Sequence, residues 1–64
     1  MENVNDILNE ITVSIREAGY SPKQQLTAYL LLGDPKYITR HNDAREKIKK
    51  LRPYEIENYL NKIL

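Results

Sequence analysis

Residues 21–35 read Ser21-Pro22-Lys23-Gln24-Gln25-Leu26-Thr27-Ala28-Tyr29-Leu30-Leu31-Leu32-Gly33-Asp34-Pro35. Both ends of this stretch carry helix punctuation. Ser21 can cap a helix, Pro22 suits its first position, and Gln24 completes a capping box. Gly33 supplies the stop, and Asp34-Pro35 repeats the start signal. A helix is therefore expected from Pro22 to Leu32, with a single helical turn at Lys36-Tyr37-Ile38. Leu30, Leu31 and Leu32 step ~100° apart on a helix, so they cannot share one face. That predicts burial on more than one side, as a central helix or as part of a dimer interface.

Upstream, apolar side chains fall at Val4, Leu8, Ile11, Ile15 and Ala18, with Ile7 beside them. The 4-3-4-3 spacing puts one stripe on one helical face, and Gly19 ends it. The seam covers about two heptads, too short for an independent coiled coil and suited to docking on a core or a symmetry mate. Downstream, a further start lies at Asn42 or Asp43, with Glu46 three residues after Asp43. Its apolar face is Ala44, Ile48 and Leu51. Pro53 marks a boundary, and Ile56, Tyr59, Leu60 and Ile63 form the last amphipathic helix. No alternating run suggests a strand, and there is no repeat or linker. The expectation is all-α: one domain over residues 1–64, of about four helices plus a short turn.

Length sharpens this. A chain of 64 residues sits near the lower limit for a self-sufficient core. Small scaffolds usually carry a staple: disulfides, a metal, or a second copy. With no cysteine, disulfides and thiolate sites are excluded, and the lone His41 cannot build a zinc site without several carboxylates. A homodimer is the remaining staple. No apolar run approaches the ~20 residues that span a bilayer. The acidic, polar opening Met1–Asp6 is unlike a secretory signal, so a cytoplasmic location is expected and no membrane partner is called for.

Net charge is +1, but it is unevenly spread. Residues 1–19 carry Glu2, Asp6, Glu10 and Glu17 against Arg16, a net −3. Residues 39–53 carry Arg40, Arg45, Lys47, Lys49, Lys50 and Arg52 against Asp43 and Glu46, a net +4. Such a division favours contact between unlike surfaces.

Reactive chemistry is sparse. Nucleophilic catalysis needs an activated Ser, Cys or Thr with a base and an orienting group. Nothing marks a nucleophile beside His41, and Thr12 and Ser14 lie inside the first helix. A His41–Asp34 dyad is conceivable across the turn, but a capping or packing histidine is the plainer reading. Glu55 and Glu57 face different ways, and both glycines are isolated, so no phosphate loop exists. No enzyme, metal site or cofactor is expected. The basic segment 40–52 is the functional candidate. Arg45 and Lys49 are i, i+4 neighbours, with Lys47 and Lys50 flanking, and such a stripe can hold phosphate groups on nucleic acid or on protein. A sequence pI of about 8.0 is low for a DNA-binding domain. Lysines on a solvated helix face are also commonplace. Five tyrosines with no Phe or Trp place rings at core borders or interfaces, notably Tyr29, Tyr37 and Tyr59.

Taken as a string, Tyr20-Ser21-Pro22, Gln25-Leu26, Tyr29-Leu30-Leu31, Gly33-Asp34-Pro35, Tyr37-Ile38-Thr39, His41 and Asp43-Ala44-Arg45 resemble the IreB-like regulatory phosphoproteins, small cytosolic proteins of Gram-positive bacteria. The resemblance runs from about Val4 to the C-terminus and is most specific from Tyr29 to Arg45. It implies a helical homodimer without enzymatic activity, in envelope-stress signalling by transmembrane Ser/Thr kinases with PASTA domains. It also implies phosphorylation on threonine in a flexible N-terminal tail. This sequence begins almost directly at the first helix, and its threonines are Thr12, Thr27 and Thr39. Leu32 and Pro53 depart from the family pattern. Leu32 would enlarge an apolar contact, and Pro53 would shorten the preceding helix.

The expected function is therefore regulation by binding a protein, with such a kinase or its pathway as the candidate partner and a small nucleic-acid-binding regulator using residues 40–52 as the alternative. Arg40, His41, Arg45 and Lys49 are the candidate docking residues. Tyr29, Gly33, Asp34, Pro35, Tyr37, Thr39 and Ala44 carry the family pattern, structural or docking.

Overall fold

The computed structural model describes residues 3–63. Among these residues four helices run in chain order: α1 (Val4–Glu17), α2 (Pro22–Leu32), α3 (Ala44–Ile48) and α4 (Pro53–Ile63). Two 3-10 turns, Pro35–Tyr37 and His41–Asp43, lie between α2 and α3. Among the described residues there is no strand.

The punctuation works largely as the residues suggest. Asn3 Oδ1 accepts the Asp6 amide at 2.9 Å to open α1. Gly19, at φ +87°, closes it. The Gly19 and Tyr20 amides donate to the Arg16 and Ile15 carbonyls, the paired bonds of a Schellman stop. Ser21 Oγ accepts the Gln24 amide at 3.3 Å, and Gly33, at φ +71°, returns its N–H to Tyr29. At α4 the Glu55 carboxylate accepts the Arg52 amide at 2.8 Å, the reciprocal half of a capping box.

One expected cap is absent. Asp43 does not cap α3 with its side chain. Asn42 and Asp43 both adopt left-handed backbone, φ +52° and +60°, so the carboxylate is not presented to the first turn. Glu46, the other half of the expected box, pairs with Lys49 instead. Asn and Asp are the non-glycine residues that tolerate this conformation best.

The core draws on every layer. Leu8, Ile11 and Ile15 of α1 meet Leu26 of α2, Ala44 and Ile48 of α3, Leu51, and Ile56, Tyr59 and Leu60 of α4. Ile38 enters from the segment after the first turn and is fully buried. Val4, Ile7, Tyr29 and Leu30 pack around the edge. The stripe read from α1 is thus the buried one, while Ile63 at the far end of α4 stays exposed.

Helix α2 departs from a central position. Leu26 is buried and Tyr29 and Leu30 are half-buried, but Leu31 is 78% and Leu32 61% exposed. One copy of the chain covers a single side of α2, leaving two of its three consecutive leucines in solvent. Thr12 and Ser14 are buried on α1 beside the apolar stripe. Ser14 Oγ donates to the Glu10 carbonyl at 2.9 Å. Thr12 Oγ1 donates to the Tyr59 hydroxyl at 3.1 Å, which donates to Asn9 Oδ1 at 2.7 Å.

Candidate functional site

The chain from Asp34 to Asp43 has little regular backbone pairing, so side chains hold it. Asp34 Oδ1 accepts the Lys36 amide at 3.0 Å, and Ile38 returns its amide to Pro35 at 2.9 Å. Ile38 then anchors the segment in the core. The Gln25 side-chain carbonyl accepts the Thr39 amide at 2.9 Å, tying this segment to α2. Arg45 reaches back from α3: its Nε donates to the Ile38 carbonyl at 2.9 Å and its Nη2 to the Lys36 carbonyl at 3.2 Å. Thr39 Oγ1 accepts the His41 amide at 3.2 Å. The C-terminal end of α1 completes the frame. One oxygen of Glu17 takes Asn42 Nδ2 at 3.0 Å and lies 3.3 Å from His41 Nε2.

These bonds shape an open groove of about 630 Å³. Lys36, Arg40, His41 and Arg45 line it, with Tyr20 and Tyr37. Among the described residues, no Asp or Glu lines it. The Lys36 ammonium sits 5.4 Å from the centre of the Tyr37 ring, within cation–π range. Two carboxylates stand nearby: Glu17 against His41, and Asp34 3.8 Å from Lys36. Arg40 is exposed and makes no side-chain hydrogen bond or ion pair among the described residues.

Three of the four docking candidates, Arg40, His41 and Arg45, therefore share one groove, with Tyr37 and Thr39 of the family pattern. Lys49 is elsewhere. It follows the end of α3 and pairs with Glu46 at 2.8 Å. That hydrogen bond, with the Lys49 charge, holds the Glu46 carboxyl below its ordinary range. The expected Arg45–Lys49 stripe does not form, because Arg45 is turned onto backbone carbonyls. Lys47 lies 3.9 Å from Glu10. Gly33, Asp34 and Pro35 make the corner between α2 and the turn that follows, Ala44 is fully buried, and Tyr29 packs at the core edge. The conceivable His41–Asp34 dyad is not assembled: His41 turns to Glu17 and Asp34 to Lys36.

Lys36, Tyr20 and Gln25 belong to the groove without having been singled out for it. Gln25 and Tyr20 stand inside the resemblance block, which was the available signal. Glu17 gave none, lying 24 residues from His41 in the chain.

A second surface lies on α2, where Thr27, Ala28, Leu31 and Leu32 border an open concavity of about 580 Å³. No helix of the described residues is long and apolar enough to cross a membrane, and among those residues no group of His, Asp or Glu is placed to hold a metal ion.

A family model described as IreB regulatory phosphoprotein matches residues 1–64, the whole chain. The chain belongs to that family, and its role is regulatory.

Proposed function

We propose, from that membership, that this protein is a non-enzymatic cytoplasmic regulator that works by docking on a protein partner, in Ser/Thr-kinase-linked envelope-stress signalling. One observation carries the reading. Arg40, His41 and Arg45 converge with Tyr37 and Thr39 on a single open groove whose walls are held by specific side-chain bonds. An ordered, open polar surface suits recognition of a larger molecule better than turnover of a small one. The nucleic-acid alternative finds less support at the same residues. Lys47 and Lys49 face glutamates, and Arg45 faces carbonyls, so segment 40–52 presents no continuous row of free cations.

The docking reading is tested with the purified cytoplasmic domain of a PASTA-type kinase and its pathway proteins, by calorimetry against the wild-type chain and the Arg40→Ala and His41→Ala variants. Binding that weakens in both variants while their far-UV spectra stay unchanged supports it. Undiminished binding in both removes the groove from the interface.

A homodimer is part of the same reading. Leu31 and Leu32 offer neighbouring apolar side chains on a surface that one copy leaves uncovered. A stable interface buries ~800 Å² per partner, a substantial part of this chain's 4362 Å² surface. Sedimentation at micromolar concentration should give twice the 7.5 kDa chain mass. Leu31→Glu with Leu32→Glu should return it to one copy, and a wild-type monomer at that concentration would count against the dimer.

A further inference from the structure

The docking reading leaves the partner's chemistry open, and the groove's charges narrow it. Of its three cationic side chains, Lys36, Arg40 and Arg45, the two guanidiniums lack a carboxylate partner among the described residues. Arg45 is already fixed in place. Its Nε and one Nη2 hydrogen are used on the Ile38 and Lys36 carbonyls. A guanidinium has five N–H donors, so both Nη1 hydrogens and one on Nη2 remain. Locking the side chain beforehand removes the rotamer entropy that a ligand would otherwise have to offset. Thr39 Oγ1 accepts from the His41 amide, which leaves its own hydrogen uncommitted. Lys36 stands 3.8 Å from Asp34, beyond hydrogen-bond length.

We propose that this groove binds the phosphoryl group of a phosphoserine or phosphothreonine on a partner protein's segment, held by Arg40, Arg45 and Lys36, with Tyr20 and Tyr37 flanking the chain that carries it. The proposal rests on the docking reading and adds the ligand. A carboxylate has two oxygens and one charge, and a single bidentate arginine satisfies it. A phosphoryl group has three acceptor oxygens and nearly two charges, matching several donors that converge from different elements. A nucleic-acid backbone offers evenly spaced single charges, which call for a row of cations rather than a cluster. The groove's openness suits a side chain on a larger molecule, since a free small ligand would remain mostly in water.

The test uses the full chain, isotope-labelled, and three peptides: one phosphothreonine between neutral residues, its unphosphorylated twin, and a version with glutamate in place of the phosphothreonine. Amide spectra are followed to millimolar peptide. The phosphopeptide should shift Tyr37, Thr39, Arg40, His41 and Arg45 and bind at least about tenfold tighter than the other two. Raising salt should weaken it. Arg40→Gln removes a guanidinium with no hydrogen bond or ion pair among the described residues, so the spectrum should otherwise persist while affinity falls roughly fivefold. Equal shifts from all three peptides, no shifts, or shifts confined to α2 would overturn the proposal. So would equal binding to vesicles of anionic phospholipid. A partner that needs Arg40 yet binds undiminished after phosphatase treatment would sink the phosphoryl assignment and leave the docking reading standing.

Discussion

Removing the Tyr59 hydroxyl should cost more than one hydrogen bond. That hydroxyl donates to Asn9 Oδ1 at 2.7 Å and accepts from Thr12 Oγ1 at 3.1 Å. Tyr59→Phe forfeits the bond to Asn9, worth about 1 kcal/mol net. Asn9 is exposed, so water replaces that partner. Thr12 is only 4% exposed, and its donor is left without its partner. A stranded buried donor costs about 1–3 kcal/mol, less whatever it recovers by turning to the carbonyl four residues back. The sum is roughly 2 kcal/mol, or about 8–16 °C in melting temperature for a domain of this size. Thr12→Val removes the stranded group, so Thr12→Val with Tyr59→Phe should cost less than the two singles added, by roughly 1 kcal/mol. Urea unfolding at one fixed protein concentration measures all four corners of the cycle, the fixed concentration guarding against a shift from dimer dissociation. A Tyr59→Phe loss under about 0.5 kcal/mol, or strict additivity, would refute the reasoning.

Three further outcomes are expected. Arg45→Lys keeps the charge but loses the planar fork that spans two carbonyls, and should lower stability by about 1–2 kcal/mol in urea unfolding; an unchanged midpoint would mean those bonds are not formed in solution. Asp43→Val, at φ +60°, should destabilise by about 1–2 kcal/mol while Asp43→Gly stays near neutral, because only the branched residue meets the left-handed penalty; equal effects would remove backbone strain as the cause. Lys49→Ala should move the Glu46 carboxyl back toward its ordinary range, read by carbon-detected titration. Because its folded value is lowered in the wild type, the pair contributes stability above the unfolded value and loses it as pH falls through the folded one, so the variant should show a slightly flatter acid limb.

Helix positions were legible because each start and stop uses a local signal. Gly19, Ser21-Pro22, Gly33, Asp34-Pro35 and Pro53 all act within a few residues of themselves. The buried face of α1 was legible because its period is unbroken. Three things were not. The Asp43 cap failed because Asn42 and Asp43 take left-handed backbone, with Asn42 held by Glu17, which α1 brings from 25 residues away. The Arg45–Lys49 stripe failed because helical spacing fixes where side chains leave the backbone, not what they reach: Arg45 finds two unpaired carbonyls in the preceding segment, and Lys49 finds Glu46. What covers the rest of α2 was not legible either, for a related reason. Three consecutive leucines demand cover on several sides, but nothing local says whether that cover comes from the same chain.

The segment between α2 and α3 ties structure to function in a way that constrains any test of the groove. Because its backbone carbonyls and amides have few regular partners, they are satisfied by Gln25, Thr39 and Arg45. Those same side chains line the surface a partner would meet. Arg45→Ala must therefore loosen the wall as well as remove a contact, and lost binding in that variant cannot separate the two. His41 shares the difficulty through Glu17. Arg40 does not: it is exposed, its side chain makes no hydrogen bond or ion pair among the described residues, and it lines the same groove. A binding defect in Arg40→Gln with an unchanged unfolding midpoint would isolate recognition from folding. If instead Arg40→Gln binds normally while Arg45→Ala and His41→Ala fail, the groove's contribution is its shape, and its free charge plays no part.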